Sequence, residues 1–244
     1  MNNFFVLDTE TTGLDDDAEM IEFAGIRCQS DGSPGDFKTV GVGLSRLIKP
    51  SVPISIEAMA VHHITEDDVA GASDLPQLSV DEVLRYSNSL DVNAYVAHNS
   101  AFDKRICGQY LDQEVPWICT YKVALRLWPD APSYKNAVLF YYNDLHKGDD
   151  RDWRQFFARS QLHRALPDAI LTAHLFGKML ELISFEDMIE ISSQPGLLPR
   201  VPFGKNYGKK WSEVDYGYLK WAKSQDFDED VLYTVNTEIK RRYP

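Results

Sequence analysis

The feature that most constrains this chain is a short apolar run, Phe4-Phe5-Val6-Leu7, which stops on two carboxylates one residue apart, Asp8 and Glu10. Four consecutive apolar residues read as a strand buried on both faces, the kind that runs through the middle of a sheet. Residues two apart on a strand project to the same face, so Asp8 and Glu10 aim side by side at one point. Like charges held that close repel unless a cation lies between them, and a hard, oxygen-preferring ion such as Mg²⁺ or Mn²⁺ is the natural partner. Taken alone, the pair is more simply two surface carboxylates at a strand end. Further ligands must come from elsewhere in the chain.

With 244 residues, the chain can bury one good core and carry a small appendage. A net charge of -12 argues, on its face, against a nucleic-acid partner. That veto is weak, because metal-binding carboxylates count in the sum although bound cations would neutralise them, and the field that matters is local. No apolar run approaches membrane-spanning length, and the N-terminus lacks the basic region and small-residue cleavage site of a secretory signal. Cys28, Cys107 and Cys119 show no Cys-x-x-Cys spacing, so the expectation is reduced core thiols in a cytoplasmic protein with no membrane partner.

Along the chain, Asp15-Asp16-Asp17 reads as a solvated acidic turn, and residues 21–26 and 40–44 read as two strands joined through the turn residues 32–35. A short helix over 56–61 leads into His62 and His63, read as loop residues able to contact a phosphate or base if they lie near the carboxylates. Thr65 and Asp68 have capping spacing, and 80–90 has helical periodicity. Residues 94–97 form the next strand, which ends in His98-Asn99 before a helix that carries Asp103. A strand over 117–120 and helices over 121–128 and 136–142 follow, then a polar loop at 148–151. Strands that meander first and then alternate with helices indicate a mixed α/β sheet with helices on its faces.

The third acidic element runs from Leu162 to Asp168 and opens the apolar-periodic stretch 169–182. Pro167 fits a first helical turn, and Asp168 then sits near the positive end of the helix. His163 precedes Asp168 by five residues, which in one continuous helix would turn them roughly 140° apart. The two converge only if His163 lies on a loop before the helix. Another helix opens near Ser184 with Asp187 as capping acid, and the proline-rich 195–202 reads as a linker. Beyond it, 203–211 suggests a tight hairpin and 216–221 a helix. Lysines interleaved with aromatics there would suit stacked bases and phosphates, or the aromatics would form the module's own core.

Asp8, Glu10, Asp103 and Asp168 thus stand at three separate strand–helix junctions. At Asp8-Thr9-Glu10-Thr11-Thr12-Gly13-Leu14, His98-Asn99-Ser100-Ala101-Phe102-Asp103 and His163-Arg164-Ala165-Leu166-Pro167-Asp168 the chain resembles the DEDD family of 3′-to-5′ exonucleases. A histidine five before the last aspartate marks the DEDDh subgroup, which includes the proofreading subunit of DNA polymerase III and ribonuclease T. Ala58 to Thr65, Trp117 to Thr120, Phe203-Gly204-Lys205 and Gly217 to Trp221 resemble one branch of that subgroup, tail included. The stretch from Asp144 to Phe157 departs from that branch, being longer and more polar.

The resemblance implies an α/β, ribonuclease H-like fold: a mixed five-stranded sheet flanked by helices over 1–194, a linker at 195–202, and a small basic and aromatic C-terminal module over 203–244. It implies phosphodiester hydrolysis with two divalent cations, Mg²⁺ or Mn²⁺, releasing nucleoside 5′-monophosphates from 3′ ends of single-stranded or duplex DNA in repair or recombination. Asp8 would bridge both ions, with Glu10 and Asp168 on the ion that holds the attacking water. Asp103 would hold the second ion, and His163 would take the proton from the water. Thr9, Thr11, Gly13, Leu14, His62, His98, Asn99 and Phe102 would meet the terminal nucleotide. RNA trimming or short-oligonucleotide cleavage on the same scaffold is the other enzyme reading. A non-catalytic nucleic-acid adaptor has no use for a cluster of negative charge.

Overall fold

The computed structural model describes residues 1–33, 35–147 and 163–243. Three strands form the opening meander: β1 (Asn2–Thr11), β2 (Met20–Ser30) and β3 (Lys38–Leu47), paired antiparallel in sequence. Helices α1 (Ile56–His62), α2 (Glu66–Val69) and α3 (Pro76–Tyr86) follow. Then β4 (Ala94–Ala97), α4 (Ser100–Cys107), β5 (Trp117–Cys119) and α5 (Thr120–Leu127) add two parallel strands. The sheet order is β3-β2-β1-β4-β5, which makes β1 the central strand. Helices α6 (Asn136–Tyr142), α7 (Ala165–Leu180) and α8 (Phe185–Ser192) complete the larger unit.

The apolar run in β1 does what its pattern predicts. Phe4 and Val6 enter one core with Ile26, Phe176 and Met179, and Phe5 and Leu7 enter another with Phe23, Val80, Val83 and Ile106. All four are fully buried, because α7 and α8 cover one face while α3 and α4 cover the other. Burying each such side chain contributes about 1.5–3 kcal/mol, so the strand cannot slide or flip without exposing a layer of core. Gly25 lies opposite Leu7 in the β1–β2 register, and a Cβ there would overlap the Phe5 ring.

The capping spacing read at Thr65 and Asp68 is realised, and α1 has a cap of its own. Ser55 caps α1, its hydroxyl accepting from the Ala58 N–H at 3.1 Å, and Thr65 with Asp68 forms the capping box of α2. The third predicted helix starts four residues earlier than its periodicity suggests, because Pro76 suits a first turn.

The C-terminal segment differs from the expected hairpin. Residues 204–206 and 211–213 are single 3₁₀ turns, joined to the preceding chain by one bridge between Arg200 and Lys210. Gly204 and Gly208 both take positive φ, which bends the chain twice where a hairpin needs extended arms. Helices α9 (Tyr216–Lys223) and α10 (Glu229–Arg242) then close a small core around Trp211, Tyr218, Leu219 and Val231. Val201 belongs to that core, and the Gly196 and Leu198 N–H groups donate to Asp230 and Thr234, so the proline-rich segment packs along the module. Arg200 and Lys210 both reach Asp130 on the larger unit, at 2.9 and 3.1 Å. The polar loop at 148–151, most of the divergent stretch and Leu162 lie outside the described residues.

Candidate active site

The alternation that buries β1 also sorts its polar end. Asp8 and Glu10 continue the Phe4–Val6 face, towards α7, while Thr9 continues the Phe5–Leu7 face, towards α4. Carboxylate oxygens of Asp8, Glu10 and Asp168 accordingly all lie within 4.8 Å of one another. Asp168 comes from the first turn of α7, where the Asp168 N–H bonds to the Arg164 carbonyl at 3.2 Å. Asp103, in the first turn of α4, stands beside this group and is held from the other face by the Thr9 hydroxyl, which donates to it at 2.9 Å. The four acids therefore arrive from both layers of the fold. A ligand set made only of carboxylate oxygens fits a hard divalent cation.

His163 lies in a bend immediately before α7, exposed, with φ of 65°. It is thus off the helix, the arrangement that lets it face the same point as Asp168, and its charge acts on Asp168 in the sense that favours the carboxylate.

Burial dominates the electrostatics. It drives the Asp8 carboxyl well above its ordinary range, with Asp103, Asp168, Glu10 and Glu22 adding repulsion. Glu10 is pushed up to about 9 by burial and then by Asp168 and Glu22. Burial raises Asp103 to about 7, against the hydrogen bond from Thr9, and Asp168 to about 6, against His163. A protein without a cation here would hold protons instead.

The turn after β1 is rigid up to its tip. The Thr11 hydroxyl donates to the Gly13 carbonyl at 2.6 Å, and the Ser55 N–H donates to the Thr12 carbonyl at 2.8 Å. Arg105 of α4 donates to the Leu14 and Asp15 carbonyls at 3.2 and 2.9 Å, its guanidinium 5.1 Å from the Phe102 ring centre. The Leu14 side chain is nonetheless 82% exposed, so it does not fold back on the core. Beside it opens a cavity of about 390 Å³, lined among others by Thr9, Glu10, Thr11, Gly13, Leu14, His62 and Phe102. Most residues expected to meet a terminal nucleotide thus share one mostly apolar pocket whose edge is Glu10.

Of the two adjacent histidines, His62 differs from the loop reading and His63 fits it. His62 ends α1 and is buried; its Nδ1 accepts the Ile64 N–H at 3.0 Å and its Nε2 sits 3.2 Å from the Thr11 carbonyl. Burial holds its pKa below the ordinary value, against the bond to Thr11, so the neutral ring braces the turn that carries Leu14. His63 is exposed and takes the left-handed position that ends the helix. His98 stands apart from the pocket. Its Nδ1 pairs with the Thr120 hydroxyl at 2.9 Å and its Nε2 with the Tyr134 carbonyl at 2.8 Å, and burial pushes its pKa down to about 4. Both nitrogens are engaged within the protein, which makes His98 a brace for the end of β4. Asn99 precedes α4 with φ of 64° and is exposed.

Two residues without a role in the sequence reading belong to this neighbourhood. Glu22 on β2 is 1% exposed and is the register partner of Glu10. Arg164 binds it with two nitrogens, both at 2.9 Å. The one hint in the sequence is a charge between Ile21 and Phe23 in an otherwise apolar strand, since a buried carboxylate needs a partner.

A family model described as Exonuclease (RNase_T) matches residues 5–176. Exodeoxyribonuclease 10 of Escherichia coli K12 is 35% identical over 221 residues, covering 88% of each chain. The epsilon subunit of DNA polymerase III from Aquifex aeolicus is 25% identical over 187 residues, covering 75% of this chain and 83% of that one. Among solved structures, exonuclease X in complex with 5′ overhanging duplex DNA superposes with a TM-score of 0.58 at 32% identity, over 79% of this chain and 99% of that chain.

The raised carboxyl pKa values set a pH dependence. The metal-free fold holds protons that the unfolded chain releases near pH 4, so its stability falls as pH rises through about 6, 7 and 9, the folded values of Asp168, Asp103 and Glu10. Chelator-treated protein should therefore melt at a lower temperature at pH 8 than at pH 6. Saturating Mn²⁺ at pH 8 should raise the melting temperature by about 5–10 °C, with a smaller rise at pH 6 where protons compete. A melting temperature indifferent to Mn²⁺ at pH 8 would remove the metal site.

Proposed function

The chain belongs to the DEDD exonuclease family, and on that premise we propose that it is a metal-dependent 3′-to-5′ exodeoxyribonuclease. It would release nucleoside 5′-monophosphates from DNA 3′ ends in repair or recombination. The observation that carries this reading is the convergence of Asp8, Glu10 and Asp168 within 4.8 Å, with Asp103 alongside and His163 just before the same helix. The family uses divalent metal ions, and Asp8, Glu10, Asp168 and Asp103 would hold Mg²⁺ or Mn²⁺ here. When bound, such cations relieve charge on the attacking and leaving oxygens of a phosphodiester.

The protein's own residues supply the remaining chemistry. His163, exposed and off the helix, would accept a proton from the attacking water as general base. The pocket beside Glu10 would take the last nucleotide, with Leu14 and Phe102 against its base and the Thr9–Gly13 backbone along its sugar and phosphate. An exposed leucine on a turn pinned by Arg105 is well placed to part a terminal base pair.

DNA is preferred over RNA because the relative that is 35% identical is an exodeoxyribonuclease. The acidic cluster sees phosphate and not sugar, so parallel digestion of matched DNA and RNA decides between them. In the C-terminal module, Trp211 and Tyr218 are core, whereas Trp221 is 45% and Tyr207 76% exposed. Lys205 lies 6.0 Å from the Tyr218 ring beside Trp221, and this face would hold the DNA strand away from the cut.

Four variants of the purified protein test this reading. Asp8→Ala should abolish Mg²⁺-dependent release of mononucleotides from single-stranded DNA, whereas His163→Ala should lower turnover about 10²–10⁴-fold while retaining Mn²⁺ binding. Wild-type release by Asp8→Ala would refute the assignment, and 5′-labelled against 3′-labelled substrate reads the polarity. Leu14→Ala should slow digestion of duplex ends more than of single strands, and equal slowing would count against the wedge. Combining Lys205→Ala with Trp221→Ala should weaken DNA binding about tenfold or more, given about 1–3 kcal/mol per stacked base, with unchanged turnover on a saturating dinucleotide. Unaltered affinity would return the module to a packing role.

A further inference from the structure

Glu22 has no place in the four-carboxylate scheme, yet its side chain is 1% exposed and sits across the β1–β2 ladder from Glu10. A buried carboxylate beside four others is costly unless its charge and both its oxygens are engaged. The structure engages them fully. Arg164 donates from Nε to Oε2 and from Nη2 to Oε1, both at 2.9 Å, and the Ala165 N–H donates to Oε2 at 3.1 Å. With three donors on two oxygens, the Glu22 carboxylate is paired from within the protein. The surplus negative charge is thereby left to the four carboxylates that would hold cations.

The three donors all come from the start of α7. Arg164 is the N-cap residue of that helix, and its side chain makes no capping bond to its own first turn. The N-terminal amides of a helix need acceptors, and Glu22 supplies one from a different element of the fold. A second contact locates the same turn: a Cβ on Gly43 of β3 would overlap Leu166, so the turn lies close against the sheet. This first turn carries Asp168, and the residue joined to Arg164 on its other side is His163.

Resting on the exonuclease reading above, we propose that Glu22 and Arg164 are positioning residues. Their bidentate pair, together with the Ala165 amide, sets Asp168 and His163 against Asp8 and Glu10. Neither residue touches the reacting atoms in this scheme. They tie the third motif to the central strands, and a displacement of about 1 Å in such a constellation can cost on the order of 10²-fold in rate.

The test is a double-mutant cycle on the full chain with Glu22→Gln, Arg164→Gln and the pair combined. Each variant is measured for turnover and KM on single-stranded DNA, for Mn²⁺ affinity by calorimetry, and for melting temperature. Each single variant should lose about 10–100-fold in kcat with KM changed less than about threefold, and Mn²⁺ binding should weaken because Asp168 is no longer held. The double variant should be no worse than the worse single one, as two members of one device require. Arg164→Lys keeps the charge and loses the fork, so it preserves the fold and should still lose about 5–10-fold in kcat.

A lowered melting temperature with wild-type kcat per folded molecule would overturn the proposal, since a merely structural pair gives that result. So would losses that multiply in the double variant, or full activity in Arg164→Lys. If the wild-type protein shows no metal-dependent nuclease activity, the exonuclease reading fails while the Mn²⁺ titration still decides this one. Equal affinity in wild-type and Glu22→Gln protein would then overturn the clamp, and weaker affinity in Glu22→Gln would support it.

Discussion

Mutual repulsion among carboxylates at the end of the central strand is the constraint on which the rest of the structure depends. Asp8 and Glu10 cannot retreat into solvent, because the four residues before them are locked into cores on both sides of the sheet. Burial raises the pKa of both, and neighbouring carboxylates add to it, Asp103 and Asp168 foremost for Asp8 and Asp168 and Glu22 for Glu10. Around them the fold collects what offsets negative charge. Two helices, α4 and α7, present their N-terminal turns, where the helix dipole is positive. Arg164 neutralises Glu22, and the remaining imbalance is what a divalent cation would satisfy.

The two-layer construction explains why the site is assembled from such distant segments. Strand alternation sends Asp8 and Glu10 to the α7 layer and Thr9 to the α4 layer, so a single strand end addresses both helices at once. The apolar pocket opens a few residues further along the same chain segment, where Thr11, Gly13 and His62 brace a turn whose tip, Leu14, stays exposed. In the proposed exonuclease, chemistry and end recognition would therefore be coupled through about six residues of backbone. Membership of the exonuclease family and the likeness to exonuclease X agree with the five-stranded sheet and its flanking helices.

Much of this was legible in the sequence for identifiable reasons. The run Phe4 to Leu7 announced a doubly buried strand, and the spacing of Asp8 and Glu10 announced a shared face. Pro167 fits a first helical turn, and it stands in the first turn of α7, with His163 before the helix. Other features were not legible. His62 looked like a loop residue because burial depends on what α1 packs against. His98 sits in the second motif, but its partners Thr120 and Tyr134 lie 22 and 36 residues away. The expected hairpin in the C-terminal module gave way to turns because Gly204 and Gly208 adopt positive φ, a choice that composition permits without requiring.

What the sequence determined by itself is therefore local and periodic: strands by alternation, helix starts by caps and proline, and the acidic residues at three junctions by their position after apolar runs. These follow from steric and hydrophobic rules that act over a few residues. What only the tertiary structure decided is which charges meet. That Asp103 reaches the site through Thr9, that Glu22 spends its charge on Arg164 and caps α7, and that Leu14 remains exposed depend on contacts between residues about 90 to 140 positions apart. Coulomb and hydrogen-bond energies depend on distance in space, which sequence separation does not encode.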